Sequence, residues 1–196
     1  MGVLEIHPWG SRNASLEKPD RLVFDLDPDA AIDWPTIAAS AEELRIRLKK
    51  LSLVSFLKHT GGKGLHVVVP IEAEHPWSAV KDFARAVVAR MQEEKPDLYV
   101  IKMTKTLRKN RIHLDYLRND REATSIAPYS PRARKGAPVA IPLRWSELRS
   151  ENAPAFHVSD FQKWRARLNR DPWKEMNRGR QKLSAGALPA ARVATE

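Results

Sequence analysis

Cysteine is absent from the 196 residues. That excludes disulfides and thiolate metal sites, and leaves oxygen donors and six histidines for any bound ion, a set that favours hard cations. No apolar stretch approaches the roughly 20 residues needed to cross a bilayer. The opening MGVLEIHPWGSR also lacks the charged start and apolar core of a secretion signal, so a cytoplasmic protein is expected. Glycine is scarce, eight residues against fourteen prolines, which implies many stiff turns. There is no internal repeat. An apolar fraction of 42% and a charged fraction of 30% describe one globular domain with a real core.

Acidic residues are missing where basic ones cluster. The run KMTKTLRKNR carries Lys102, Lys105, Arg108, Lys109 and Arg111 without a carboxylate, within a chain of net charge +10 and pI near 10.0. Counterion release rewards such a cluster against a phosphate backbone, which makes Lys102, Lys105 and Lys109 candidate DNA contacts. A solvated basic face is the alternative, and it weighs more for the basic C-terminal stretch than for this run, which abuts a candidate site.

Apolar periodicity supplies the framework. A strand is expected from Arg21 to about Leu26. Asp33, Pro35 and the spacing of Ile37, Ala41, Leu44, Leu48 and Leu51 predict a helix. LVSFLK and LHVVVPI, joined by HTGGKG, read as a hairpin. WSAVKDFARAVVARMQEE is a second amphipathic helix stopped by Pro96. Further strands are expected at RIHLDYL, TSIAPY and APVAIP, with short helices at WSELRS and SDFQKWRARL. The sum is an α/β or α+β fold, a mixed and largely antiparallel sheet with helices packed on one face, over residues 1–182, followed by a flexible tail at 183–196.

Within that framework LVFDLDPD places Asp25 and Asp27 two residues apart on one face of a strand. Two such carboxylates suit a pair of metal ions; a turn made by Asp27, Pro28 and Asp29 is the plain alternative. Asp115 interrupts another apolar strand and, from a neighbouring strand, completes a three-acid Mg²⁺ or Mn²⁺ site. It could instead be salt-bridged to Arg118 or Arg111. In HTGGKGLHV the glycines at 61, 62 and 64 let amides face an anion, and Thr60 and Lys63 add a hydroxyl and a charge. Glycine-rich hairpins are common, and His66 alone reads as a core histidine. Ser130, Arg132 and Arg134 lie in a proline-punctuated loop whose arginines suit phosphate oxygens or plain solvation.

Taken in order, LEIHPWGSR, DRLVFDLDPD, HTGGKGLHVVVP, IHLDYLRND, APYSPRARKGAPVAIPLRWSEL and DPW resemble the polymerase domain of bacterial DNA ligase D, of the archaeo-eukaryotic primase superfamily. The resemblance implies a primase-like catalytic core and template-directed addition of NTPs or dNTPs to a DNA primer 3′-hydroxyl during non-homologous end joining. It assigns Asp25, Asp27 and Asp115 to two Mg²⁺ or Mn²⁺ ions, one lowering the pKa of the attacking hydroxyl and one bridging the triphosphate. It assigns His7, Thr60, Gly61, Lys63, Gly64, His66, Arg108, Arg118, Ser130 and Arg132 to the incoming nucleotide, with Thr60 where the family has serine. Broken DNA ends are the implied partner, with Ku and a ligase module on separate chains, in the bacterial cytosol near the nucleoid. The family's N-terminal portion, which grips template and downstream 5′-phosphate, precedes the LEIH stretch; here that stretch follows Met1 almost directly.

Two other classes compete. A phosphatase of the haloacid dehalogenase type would use Asp25 as a nucleophile, but expects glycine and threonine where this chain has Pro28 and Asp29. A catalytically idle nucleotide- or DNA-binding module accounts for the basic charge without turnover.

Overall fold

The computed structural model describes residues 4–176 and 179–183; of the tail expected at 183–196 only Leu183 is among them, where it is buried in the core. A six-stranded sheet is built from β1 (Arg21–Pro28), β2 (Phe56–His59), β3 (Leu65–Pro70), β4 (Tyr99–Val100), β5 (Ile112–Asp115) and β6 (Ile141–Leu143). Its order is β4-β5-β1-β3-β2-β6, antiparallel throughout except for the β4–β5 edge. The expected mixed, largely antiparallel sheet is what the sequence forms.

Two helices cover one face, α1 (Trp34–Lys50) and α2 (Trp77–Glu94). Asp33 caps α1 by accepting the Thr36 amide at 3.0 Å, with Pro35 in the first turn where its missing N–H costs nothing. The apolar stripes of α1 (Ile37, Ala41, Leu44, Leu48) and α2 (Val80, Phe83, Ala84, Val87, Met91) pack on Leu22, Phe24 and Leu26, the even-numbered side of β1. Each fully buried Leu, Ile, Val, Phe or Met among them contributes about 1.5–3 kcal/mol. Strand alternation then forces Val23, Asp25 and Asp27 to the other face. There Val23 and Val68 are covered by Trp173 and Met176, so only the end of the sheet holding the two aspartates stays open.

Three expectations need correction. TSIAPY forms no strand: a lone bridge pairs Thr124 with Trp9, and Pro128, which has no N–H, and Tyr129, at φ +62°, deny the segment a ladder. APVAIP contributes only its end to β6, and WSELRS is a 3₁₀ turn at Trp145–Arg149 rather than an α-helix. SDFQKWRARL does hold a helix, α3 (Phe161–Leu168).

Candidate active site

The register of the sheet builds the site. Lys58 of β2, His66 of β3, Asp25 of β1 and Asp115 of β5 lie directly opposite one another in sequence of strands. One step further along, Asp27 faces His113. Side chains opposite in antiparallel strands stand roughly 4.5–5.5 Å apart at Cβ, and like charges so placed repel. Asp25 and Asp115 are nonetheless side by side and nearly buried, with side chains 12% and 11% exposed.

A guanidinium offsets that repulsion. Arg118 Nε lies 3.2 Å from Asp25 Oδ2 and 3.3 Å from Asp115 Oδ2, and its NH1 donates to the Thr124 carbonyl at 3.5 Å. Arg118 is held by a 3₁₀ turn, Leu117–Asn119, that follows β5 at once. Asp115 Oδ1 accepts the Leu117 amide at 2.8 Å. Asn119, 1% exposed, accepts the Val23 amide at 2.8 Å and donates to the Val23 carbonyl at 2.8 Å. Its side chain thus continues the ladder where β5 has ended.

Protonation follows from these contacts. Burial works against the Asp25 carboxylate, but His66 at 3.5 Å and Arg118 overcome it and hold its pKa at about 2. Burial pushes His66 itself down against the pull of Asp25. Asp27, the most open of the three acids with a side chain 59% exposed, is pushed up by desolvation and by Asp25, against Arg108 at 3.7 Å. Lys58 is buried at one end of the row, donates Nζ to the Ile126 carbonyl, and stands 5.6 Å from the Trp173 ring. Burial lowers its pKa to about 7.

The hairpin turn forms the opposite wall. Gly61 has φ +72°, which a side-chain-bearing residue adopts only with strain. A Cβ at Gly64 would stand 2.7 Å from the Leu26 carbonyl oxygen, between the two aspartates of β1. The Thr60 hydroxyl donates to the Gly64 carbonyl at 3.0 Å, and Arg132 donates to the Thr60 carbonyl at 2.8 Å. A cavity of about 210 Å³ results, lined by His7, Asp25, Asp27, Thr60, Gly62, Lys63, Gly64, His66, Arg118, Thr124, Ser125, Ile126, Arg132 and Arg134. A larger groove, about 970 Å³ between α1 and α2, has charged groups that already pair with each other, as in Arg47–Glu94 and Lys95–Glu43.

Not every candidate from sequence reaches this cavity. Gly61 lies behind the turn. Ser130, 1% exposed, is used internally: its hydroxyl accepts the Ile6 amide at 2.9 Å and donates to the Pro131 carbonyl at 3.1 Å. His7 Nε2 sits 2.6 Å from Glu5 Oε2; Glu5 also contacts Arg132 Nε at 3.2 Å. The His7 contact, the Ala133 amide and Arg132 hold Glu5 at about 2. Lys102, Lys105 and Lys109 are exposed around the 3₁₀ turn Lys105–Arg108, and Arg108 ties that run to Asp27. Glu5, Lys58, His113 and Asn119 escaped the sequence reading. For Lys58 and His113 the missing signal was strand register, since each is unremarkable until its cross-strand neighbour is known.

The family model of the LigD primase-polymerase domain matches residues 1–173. The chain belongs to the LigD primase-polymerase family. It is 39% identical over 187 residues to the multifunctional non-homologous end joining protein LigD of Pseudomonas aeruginosa, covering 94% of this chain and 22% of that protein. To the bifunctional non-homologous end joining protein LigD of Bacillus subtilis it is 31% identical over 147 residues, covering 73% and 24%. The chain therefore spans about a quarter or less of these LigD proteins. The solved polymerase domain of Mycobacterium tuberculosis ligase D in complex with DNA superposes with a TM-score of 0.79 at 29% identity, covering 91% of this chain and 64% of that one. The primase-like fold expected from the sequence is the LigD polymerase-domain fold.

Proposed function

We propose that this chain carries out template-directed nucleotidyl transfer to a DNA 3′-hydroxyl in end-joining repair, with Asp25, Asp27 and Asp115 as the acids that hold divalent cations. The observation that carries the reading is the apposition of Asp25 and Asp115 across β1 and β5, with Asp27 on the same face, beside a cavity walled by a glycine turn and by Lys63, Arg132 and Arg134. Membership in the LigD family and the likeness to a DNA-bound polymerase domain support it.

The residues fit Mg²⁺ or Mn²⁺: all three are hard oxygen donors, and two imidazole nitrogens nearby, His66 Nδ1 and His113 Nε2, are buried without a partner. Among the described residues no three or more His, Asp or Glu side chains are gathered closely enough to hold a metal ion as they stand; Arg118 stands between Asp25 and Asp115 instead. When bound, the ions supply a lowered pKa at the attacking hydroxyl and charge neutralisation at the leaving pyrophosphate. The protein supplies the rest. Lys63, Arg132 and Arg134 place positive charge along one wall for the triphosphate, and the Gly62 and Gly64 positions let it approach the backbone. Arg108 and the exposed Lys102, Lys105 and Lys109 extend that charge outward past Asp27, where a DNA strand would lie. Broken DNA ends are the proposed macromolecular partner, with Ku and a ligase module as further proposed partners, and the bacterial cytosol as the compartment; no described helix is long and apolar enough to cross a membrane.

The test is extension of a labelled primer–template with a short overhang, with NTPs or dNTPs, across Mg²⁺ and Mn²⁺. Metal-dependent extension that falls by at least about 10²–10³-fold in Asp27→Ala is the expected result. DNA binding without extension by the wild type with either ion would replace this reading by the idle binding module, whose one favouring observation is the exposed basic run.

A further inference from the structure

Arg118 sits where the proposed function needs a metal ion. Its guanidinium touches Asp25 through Nε and NH2, both at 3.2 Å, and Asp115 through Nε at 3.3 Å. These are the two acids that face each other in register and are nearly buried. Left without a cation they would repel at close range in a poorly solvated site. Its backbone is fixed: the Asn119 side chain pins the 3₁₀ turn to Val23, and Asp115 itself receives the Leu117 amide. The side chain is not. It is 40% exposed, and beyond the carboxylates its one hydrogen bond among the described residues is to the Thr124 carbonyl at 3.5 Å, so it can swing outward without breaking the fold.

We propose that Arg118 is a built-in counter-cation that holds Asp25 and Asp115 when no divalent ion is bound and yields them when one enters, so that it sets the metal affinity of the site. This rests on the metal-dependent reading above and deepens it. Arg118 is a positioning residue here, distinct from Lys63, Arg132 and Arg134, which line the cavity without touching either buried acid in the ion pairs formed. Asp27 is held by a separate arginine, Arg108, at 3.7 Å; metal entry therefore removes one guanidinium from the buried pair and leaves the third acid with its own.

The test compares wild type, Arg118→Gln and Arg118→Lys without nucleotide or DNA. Mn²⁺ binding is measured by calorimetry, and melting temperature in chelator and in saturating Mn²⁺. Arg118→Gln is expected to bind Mn²⁺ on the order of tenfold more tightly, because a unit positive charge a few ångströms from the ion has been removed. It should melt lower than wild type in chelator, and the deficit should close in Mn²⁺. Arg118→Lys, which keeps the charge, should bind Mn²⁺ like wild type. Equal or weaker Mn²⁺ binding by Arg118→Gln, an equally tightened Arg118→Lys, or no Mn²⁺ binding by any of the three overturns the proposal. If Arg118→Gln does not fold, ¹⁵N NMR of the wild-type Arg118 Nε decides: its signal should change from restrained to mobile on Mg²⁺ saturation, and an unchanged signal overturns the proposal. Mn²⁺ binding that responds as expected in a chain that never extends a primer would sustain this inference and refute the polymerase reading alone.

Discussion

Replacing Gly64 by alanine tests whether the hairpin turn is fitted to the strand that bears the acids. The new methyl would lie 2.7 Å from the Leu26 carbonyl oxygen and 3.7 Å from Asp25 Oδ1. An ordinary carbon–oxygen contact is roughly 3.3 Å or longer, so the backbone must part by about half an ångström. Neither side gives easily. Leu26 is fully buried between β3 and β5, and the Gly64 carbonyl is held by both the amide and the hydroxyl of Thr60. Forced expansion of packed structure costs about 1–3 kcal/mol, which for a chain of this length lowers the melting temperature by roughly 2–4 °C per kcal/mol. Leu26 lies between Asp25 and Asp27, so the same displacement moves both carboxylates, and misplacement on the order of 1 Å can reduce turnover about 10²-fold. Gly62→Ala is the matched control. Its methyl would approach closely just the Arg134 NH1 atom, at 3.0 Å, the far end of a flexible side chain, with Thr60 Oγ1 at an ordinary 3.6 Å, and the protein should stay within about 0.5 kcal/mol of wild type. Thermal melts of the three proteins, with primer extension by wild type and Gly64→Ala, are the assay. A Gly64→Ala protein with wild-type melting and extension, or a Gly62→Ala protein equally destabilised, refutes the reasoning.

Other outcomes follow from the same geometry. Asn119→Ala strips the Val23 amide and carbonyl of their partner in a buried strand and should cost about 2–5 kcal/mol by chemical denaturation; a loss under about 1 kcal/mol would show that water replaces it. Lys58 keeps its proton to about pH 10.4 when unfolded but sheds it near about 7 when folded. The unfolded chain therefore binds more protons between those values, and stability should rise with pH from about 7 toward 10. Urea denaturation at pH 7 and 9 should show that rise in wild type and its absence in Lys58→Met. Changing Lys102, Lys105 and Lys109 together to glutamine should weaken binding to duplexes of any sequence and flatten its salt dependence by up to about 0.9 per lost phosphate contact; an unchanged slope in a salt titration would remove these lysines from the DNA path.

Much of this is legible in the sequence. The i, i+2 spacing of Asp25 and Asp27 is enough to put them on one face, because strand alternation is a fixed geometric rule. Asp115 was legible as a polar break in an apolar strand, though only the β1–β5 pairing says that it meets Asp25 rather than Asp27. α1 and α2 were legible because capping and helical periodicity agree. What escaped depends on long-range partners. β4 is two residues long and exists only by pairing with β5. The apolar residues of TSIAPY suggested a strand, but Ile126 is buried from a loop, where its carbonyl receives Lys58. Ser130 looked like a loop hydroxyl open to a ligand, yet Ile6, 124 residues away, takes it.

The polar row runs across the strands rather than along any of them, and that has a consequence for how the chain folds. In the unfolded chain Asp25 and Asp115 are far apart in sequence and do not feel each other; their repulsion arises only when β5 docks on β1. Arg118, three residues after Asp115, arrives on the same segment, so the incoming strand carries its own neutralising charge. Docking of β5 should then be the step of refolding that added salt or a divalent cation alters most in a chain lacking that arginine, and least in one that has it.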